Sequence, residues 1–167
     1  VASVTSDYNG EDISCFGASD ASIGLTVNGG TPNYSFIWSN GNTAQNLTGR
    51  NAGNYSVTVT DINGCTISSA VTVTEPSAIT LSAAVTSDFN GTQISCFGAN
   101  DGTAAANASG GTGTLSFNWS NSSVLNTANL LGAGVHNVTV TDLNGCFQTA
   151  SVTINQPSAI TVTSLIN

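Results

Sequence analysis

The chain repeats itself at a fixed distance. VTSDYNGEDISCFGASD at residues 4–20 returns as VTSDFNGTQISCFGAND at 85–101, 81 residues later. The same offset aligns Gly29-Gly30-Thr31 with Gly110-Gly111-Thr112, Trp38-Ser39-Asn40 with Trp119-Ser120-Asn121, Asn63-Gly64-Cys65 with Asn144-Gly145-Cys146, and Pro76-Ser77 with Pro157-Ser158. Solenoid repeats run to roughly 20–45 residues, so a period this long requires each copy to bury its own core as a separate domain. The expected organisation is one domain over 1–76, a second over 77–157, and the opening strand of a further copy over 158–167.

Within a copy the pattern has period 2, and turns interrupt it often. Ile23, Leu25 and Val27 alternate with small or polar residues, and a Gly-Gly turn follows. Tyr34, Phe36 and Trp38 share one face of the next strand, as Leu115, Phe117 and Trp119 do in copy two. Val57 and Val59, then Val71 and Val73, continue the alternation. Period 2 places Trp38, Phe36, Trp119 and Phe117 in the core. Six or seven short strands per copy with frequent turns predict an all-β chain of two tandem immunoglobulin-like sandwiches. Copy two replaces the larger strand residues with Ala104, Ala106 and Ala108, and Leu125, Leu130, Leu131 and Val135 are expected to restore the lost volume.

Composition narrows the function. Nine acids stand against a single cation, Arg50, for a net charge of −8, so phosphate backbones are repelled and nucleic acid is excluded as a partner. No apolar run reaches the ~18 residues that would cross a bilayer, so no membrane insertion is expected. With no Lys, the chain has no Lys-to-Asn isopeptide staple.

The four cysteines occupy equivalent places, 50 residues apart in each copy. Four cysteines permit three pairings, of which Cys15–Cys65 with Cys96–Cys146 treats both copies alike and leaves the domains independent. In the chain-entropy model a loop of that length stabilises by ~4 kcal/mol. Persistent disulfides imply an oxidising, extracellular setting. The competing reading is two buried free thiols per domain.

Residues able to do chemistry are few. His136 is the single histidine, and Tyr55 stands in its place in copy one. The many Ser and Thr therefore lack a repeated activating base, and no enzyme is expected. The acidic loops do repeat: Asp7, Asn9, Asp20, Asp61 and Asn63 recur as Asp88, Asn90, Asp101, Asp142 and Asn144. Oxygens of this kind can hold Ca²⁺, but Asp-x-Asn-Gly is also ordinary turn chemistry. No other cofactor is expected. Trp38 and Trp119 could stack on a sugar, although the alternation places them inside, and the Asn-x-Ser/Thr triplets are what a chain this rich in those residues contains by chance.

Ile-Ser-Cys-Phe-Gly at 13–17 and 94–98, Phe-x-Trp-Ser-Asn at 36–40 and 117–121, and Val-Thr-Val-Thr-Asp-x-Asn-Gly-Cys at 57–65 and 138–146 together resemble the SprB repeat of large Bacteroidota surface adhesins. The resemblance implies export by type IX secretion, attachment at the outer membrane and a gliding or attachment filament, and it supplies no catalytic residues. Copy two departs from copy one in having Gly113 for Pro32, Ser122 for Gly41 and His136 for Tyr55. The expected function is a structural and adhesive module of an extracellular filament. Its partners are neighbouring repeats, identical chains in a fibre, or surface polysaccharide. The alternatives are a carbohydrate-binding module of a secreted enzyme, with Tyr8 and Phe89 as its repeated aromatic, and a Ca²⁺-rigidified spacer.

Overall fold

A computed structural model describes residues 1–163. Among them no helix forms, and the chain divides into two compact units: Val1–Ala78 with Gly110–Gly113, and Ile79–Ser109 with Thr114–Asn167.

The first repeat has six strands: β1 (Ala2–Val4), β2 (Ala21–Leu25), β3 (Ser35–Trp38), β4 (Leu47–Arg50), β5 (Gly53–Thr60) and β6 (Thr66–Val73). They form two antiparallel sheets, β1-β2-β4 and β3-β5-β6. The second repeat copies this with β7 (Thr80–Val85), β8 (Gly102–Ser109), β9 (Ser116–Trp119), β10 (Thr127–Leu131), β11 (Gly134–Thr141) and β12 (Phe147–Ile154), in sheets β7-β8-β10 and β9-β11-β12. The order matches strands A-B-E and C-F-G of an immunoglobulin-like sandwich with strand D absent.

Alternation decides what each sheet buries. In β2, Ala21, Ile23 and Leu25 point inward, and in β5 Tyr55, Val57 and Val59 do. These meet Trp38, Leu47 and Val73 in one core. Trp38 is 1% exposed and Trp119 2%, while Phe36 and Phe117 pack at the core edges. A buried indole N–H needs an acceptor, and each finds a backbone carbonyl: Ala44 at 2.8 Å from Trp38 Nε1, and Leu125 at 3.1 Å from Trp119 Nε1.

The corner before the long strand is closed in two ways. Tyr55 Oη donates to the Asn51 carbonyl at 2.9 Å, the tie of a tyrosine corner. His136 does the same through Nε2, 2.9 Å from the Gly132 carbonyl. A carbonyl only accepts, so Nε2 carries the hydrogen. This accounts for the lone histidine as a structural substitute.

The second core differs from expectation. Ala104 and Ala106 are buried, but of the four residues expected to compensate only Leu131 is inside, at 1% exposed; Leu125, Leu130 and Val135 all face solvent. For Leu130 and Leu131 a register shift between Ala128 and Leu131 is the cause. Leu130 sits at φ 58°, where the first repeat has Gly49 at φ 66°. This left-handed residue bulges the strand, so residues three apart, Ala128 and Leu131, face the same core. Leu131 is buried at the position of Arg50, which stays outside the core, and Ile154 is larger than Val73 in its place, so the two offset part of the alanine deficit.

Residues 158–163 form no strand. The rest of the opening strand expected at 158–167 lies outside the described residues.

Candidate functional site: the two poles of each repeat

Each repeat has a leading pole, where the chain enters its first strand, and a trailing pole, where it leaves the last. At the leading pole of the first repeat, Thr26 donates its backbone N–H to the Val1 carbonyl at 3.0 Å, and the Gly29-Gly30-Thr31 loop lies on the turn before β6. Asp61 organises that turn. Its Oδ1 accepts the N–H groups of Asn63 at 3.0 Å and Cys65 at 2.8 Å, and its Oδ2 accepts that of Thr31 at 3.0 Å. The Thr31 N–H foremost, then that of Cys65, holds the Asp61 carboxyl below the usual carboxylate range. Gly30, at φ 68°, has no room for a side chain without pressing on Asp61: an added Cβ would lie 3.2 Å from Oδ2. The second repeat builds the same turn, with Asp142 Oδ1 accepting from Asn144 and Cys146, both at 2.9 Å.

At the trailing pole the loop between the first two strands is pinned to the chain's exit. Glu75, just before Pro76, accepts the Gly17 N–H at 2.7 Å, and Asp12 accepts both the N–H and the hydroxyl of Thr74 at 2.8 Å. In the second repeat Gln156 accepts the Gly98 N–H at 2.9 Å and Gln93 accepts that of Asn155 at 2.8 Å. Glu75 and Gln156 stand out in the sequence only as the junctions before Pro76 and Pro157, and their pinning role, like that of Asp12 and Gln93, does not. Their signal was present in the 81-residue alignment, where Asp12 and Glu75 both become Gln and thereby keep an acceptor oxygen without the charge.

The poles overturn the expected disulfides. Cys65 immediately precedes β6, whereas the Cys15 loop is fastened to Glu75 beyond that strand's other end. Eight extended residues separate the two by roughly 25 Å, and a disulfide needs Cα atoms within about 7 Å. Neither Cys15–Cys65 nor Cys96–Cys146 forms: Cys65 and Cys96 are free and exposed, while Cys15 and Cys146 are disulfide-bonded. The reading of two buried free thiols per domain fails as well.

The oxygens considered for Ca²⁺ are divided between the poles. Asp7 and Asp88 cap their own turns through the N–H groups of Gly10 at 2.7 Å and Gly91 at 2.8 Å, with Asn9 and Asn90 at φ 57° and 56° between them. Asp20 and Asp101 accept the N–H groups of Ser14 at 3.2 Å and Ser95 at 3.1 Å. Ser95, through its side chain and then its backbone, holds the Asp101 carboxyl below the usual range. Asp61 and Asn63 stand at the opposite pole from Asp7 and Asp20. Among the described residues no group of three or more His, Cys, Asp or Glu side chains could hold a metal ion. Tyr8 is half-buried, with Oη donating to the Asp20 carbonyl at 3.2 Å, and Phe89 is its partly exposed counterpart.

Comparison with known families finds the same likeness in both halves. The SprB repeat matches twice, over residues 8–43 and 89–124. Each match spans the trailing-pole cysteine and the core tryptophan of its repeat. SprB is a structural repeat family of cell-surface proteins rather than an enzyme family. No curated protein matches the chain.

Proposed function

We propose that this chain, a pair of SprB repeats, is a length-building and adhesive segment of a large secreted surface protein, exported to the cell exterior and held at the outer membrane. One observation carries the reading: the polypeptide enters each sandwich at one pole and leaves at the other. A series of copies is therefore threaded by the chain one sandwich at a time, from one pole to the other. Pro76 and Pro157 follow directly on the pinned Glu75 and Gln156, so the chain leaves each repeat in a restricted direction. The exterior is mostly hydroxyl and amide, with 6% of residues charged, which suits contact with hydrated polysaccharide.

Antibody raised against this chain and imaged by electron microscopy on cells of the source organism tests the proposal. Label along threads projecting from the surface is expected, and deletion of the labelled repeats should shorten the threads and lower attachment to polysaccharide-coated glass. Label confined to the cell interior, or to isolated globules, would overturn it. In this reading the sandwich needs no cation, because the acidic oxygens are occupied by turn N–H groups. A chelator should leave the thermal midpoint unchanged, and a drop on chelation would favour a Ca²⁺-rigidified spacer.

A further inference from the structure

Six asparagines stand directly before a glycine: Asn9, Asn28, Asn40, Asn63, Asn90 and Asn144. Such a pair can close on itself, because glycine has no Cβ to keep its backbone nitrogen away from the asparagine side chain. All six share a backbone shape, with the glycine φ between 80° and 94°. Exposure does not single one out either, since five of the six asparagines face solvent. What differs is the glycine N–H. Gly10 donates to Asp7 Oδ1 at 2.7 Å and Gly91 to Asp88 Oδ1 at 2.8 Å. Gly41 donates to the Trp38 carbonyl at 2.9 Å, Gly64 to that of Asp61 at 3.0 Å and Gly145 to that of Asp142 at 3.2 Å. The Gly29 N–H meets no acceptor among the described residues, and the Asn28 side chain makes no hydrogen bond among them.

We propose that Asn28 is a site of spontaneous deamidation, modified ahead of the other five. The Gly29 nitrogen attacks Asn28 Cγ and closes a succinimide ring, and Nδ2 leaves as ammonia with the proton that Gly29 gives up through water. Water then opens the ring. Attack at Cγ gives aspartate, and attack at the main-chain carbonyl gives isoaspartate, in which the backbone runs through the side chain. One water is consumed and one ammonia is released. A hydrogen bond on the glycine N–H opposes the first step twice: it holds the proton, and it fixes the asparagine ψ that must turn to bring the nitrogen to Cγ. Having to break one such bond slows the step by roughly two- to tenfold.

The product alters the leading pole. Asn28 lines the cavity of about 200 Å³ that Asp61 also lines, so deamidation adds a second carboxylate there. Isoaspartate also lengthens the main chain just before the Gly29-Gly30-Thr31 loop, which is held by Tyr34 Oη donating to the Gly29 carbonyl at 2.7 Å and by Asp61 accepting the Thr31 N–H. Copy two has Ser109 at this place, so the fast site belongs to the first repeat alone.

The test incubates the chain in mildly alkaline buffer, folded and in urea, and follows the acid form at each of the six sites by peptide mapping and mass spectrometry. Each site's folded rate is divided by its rate in urea, which removes the effect of flanking sequence. Asn28 should lead, with the other five slower by roughly two- to tenfold. Equal ratios, or any of the five ahead of Asn28, would overturn the proposal. Asp7→Ala supplies a second measurement. It removes the acceptor of the Gly10 N–H, so Asn9 should speed up by roughly two- to tenfold while Asn63 stays slow; an unchanged Asn9 rate would count against the mechanism. Asn28→Ser should abolish the early acid form, and its survival would refute the assignment. The readout is mass alone, so it is independent of whether the parent protein adheres.

Discussion

Leu47→Ala converts one core position of the first repeat into that of the second, where Ala128 stands. Leu47 is 2% exposed, and the truncation removes three carbons worth about 0.8 kcal/mol each, or about 2.4 kcal/mol of transfer free energy. The cavity left behind raises this to about 3–5 kcal/mol, against a total of roughly 5–15 kcal/mol for a domain. At about 4–8 °C per kcal/mol for a domain of this size, the first repeat's midpoint should fall by at least about 12 °C. The second repeat shows how the loss is offset, since Leu131 is buried where the first repeat has Arg50. Adding Arg50→Leu to Leu47→Ala should recover about 1–2 kcal/mol, because the new side chain fills the void. The same change in the unaltered chain should gain little, as Leu47 already occupies that space. Each repeat has one tryptophan, so urea titrations followed by fluorescence in a Trp119→Phe background report the first repeat alone. A cost below 1 kcal/mol for Leu47→Ala, or an equal effect of Arg50→Leu in both backgrounds, would refute the packing account.

Two further changes test the corner and the leading-pole turn. Tyr55→Phe deletes a hydroxyl that donates to the Asn51 carbonyl and should cost about 0.5–1.5 kcal/mol, whereas His136→Tyr should be tolerated, since it restores the first repeat's closure; a large loss in urea midpoint for His136→Tyr would show that the two corners are not equivalent. Asp61 has its folded-state pKa lowered below the ordinary 3.8, so its contribution is complete above that value and disappears as acid protonates it. Between pH 7 and 5 the urea midpoint should show no change from this group, below pH 4 it should fall, and Asp61→Asn should flatten the acid limb; an unchanged limb in the variant would remove Asp61 from the explanation.

Much of the fold was legible because it rests on local pattern. The alternation through Trp38, Val57 and Val59 marked strands with one wet face, and the 81-residue offset marked where one core ends and the next begins. The bulge was not legible. In the first repeat Gly49 advertises a left-handed residue, but Leu130 adopts the same φ without that signal, so Leu130 and Leu131 were both expected to fill the core and only Leu131 does. The disulfides failed for a different reason. Equal spacing of 50 residues shows that the cysteines are equivalent between copies, but not which pole each occupies. That depends on the Gly17–Glu75 and Thr31–Asp61 hydrogen bonds, which span 58 and 30 residues. The acidic loops were legible as turns, and the backbone N–H groups that occupy them are what the Asp-x-Asn-Gly sequence asks for.

Placement of the two cysteines of each repeat at opposite poles is tested most directly by alkylating the untreated chain, digesting it without reduction with a protease that cuts at aspartate, and identifying linked and labelled peptides by mass spectrometry. Label on Cys65 and Cys96, and none on Cys15 or Cys146, is the expected result. A peptide linking Cys15 to Cys65, or Cys96 to Cys146, would contradict it, because no sandwich of this topology brings those sulfurs together.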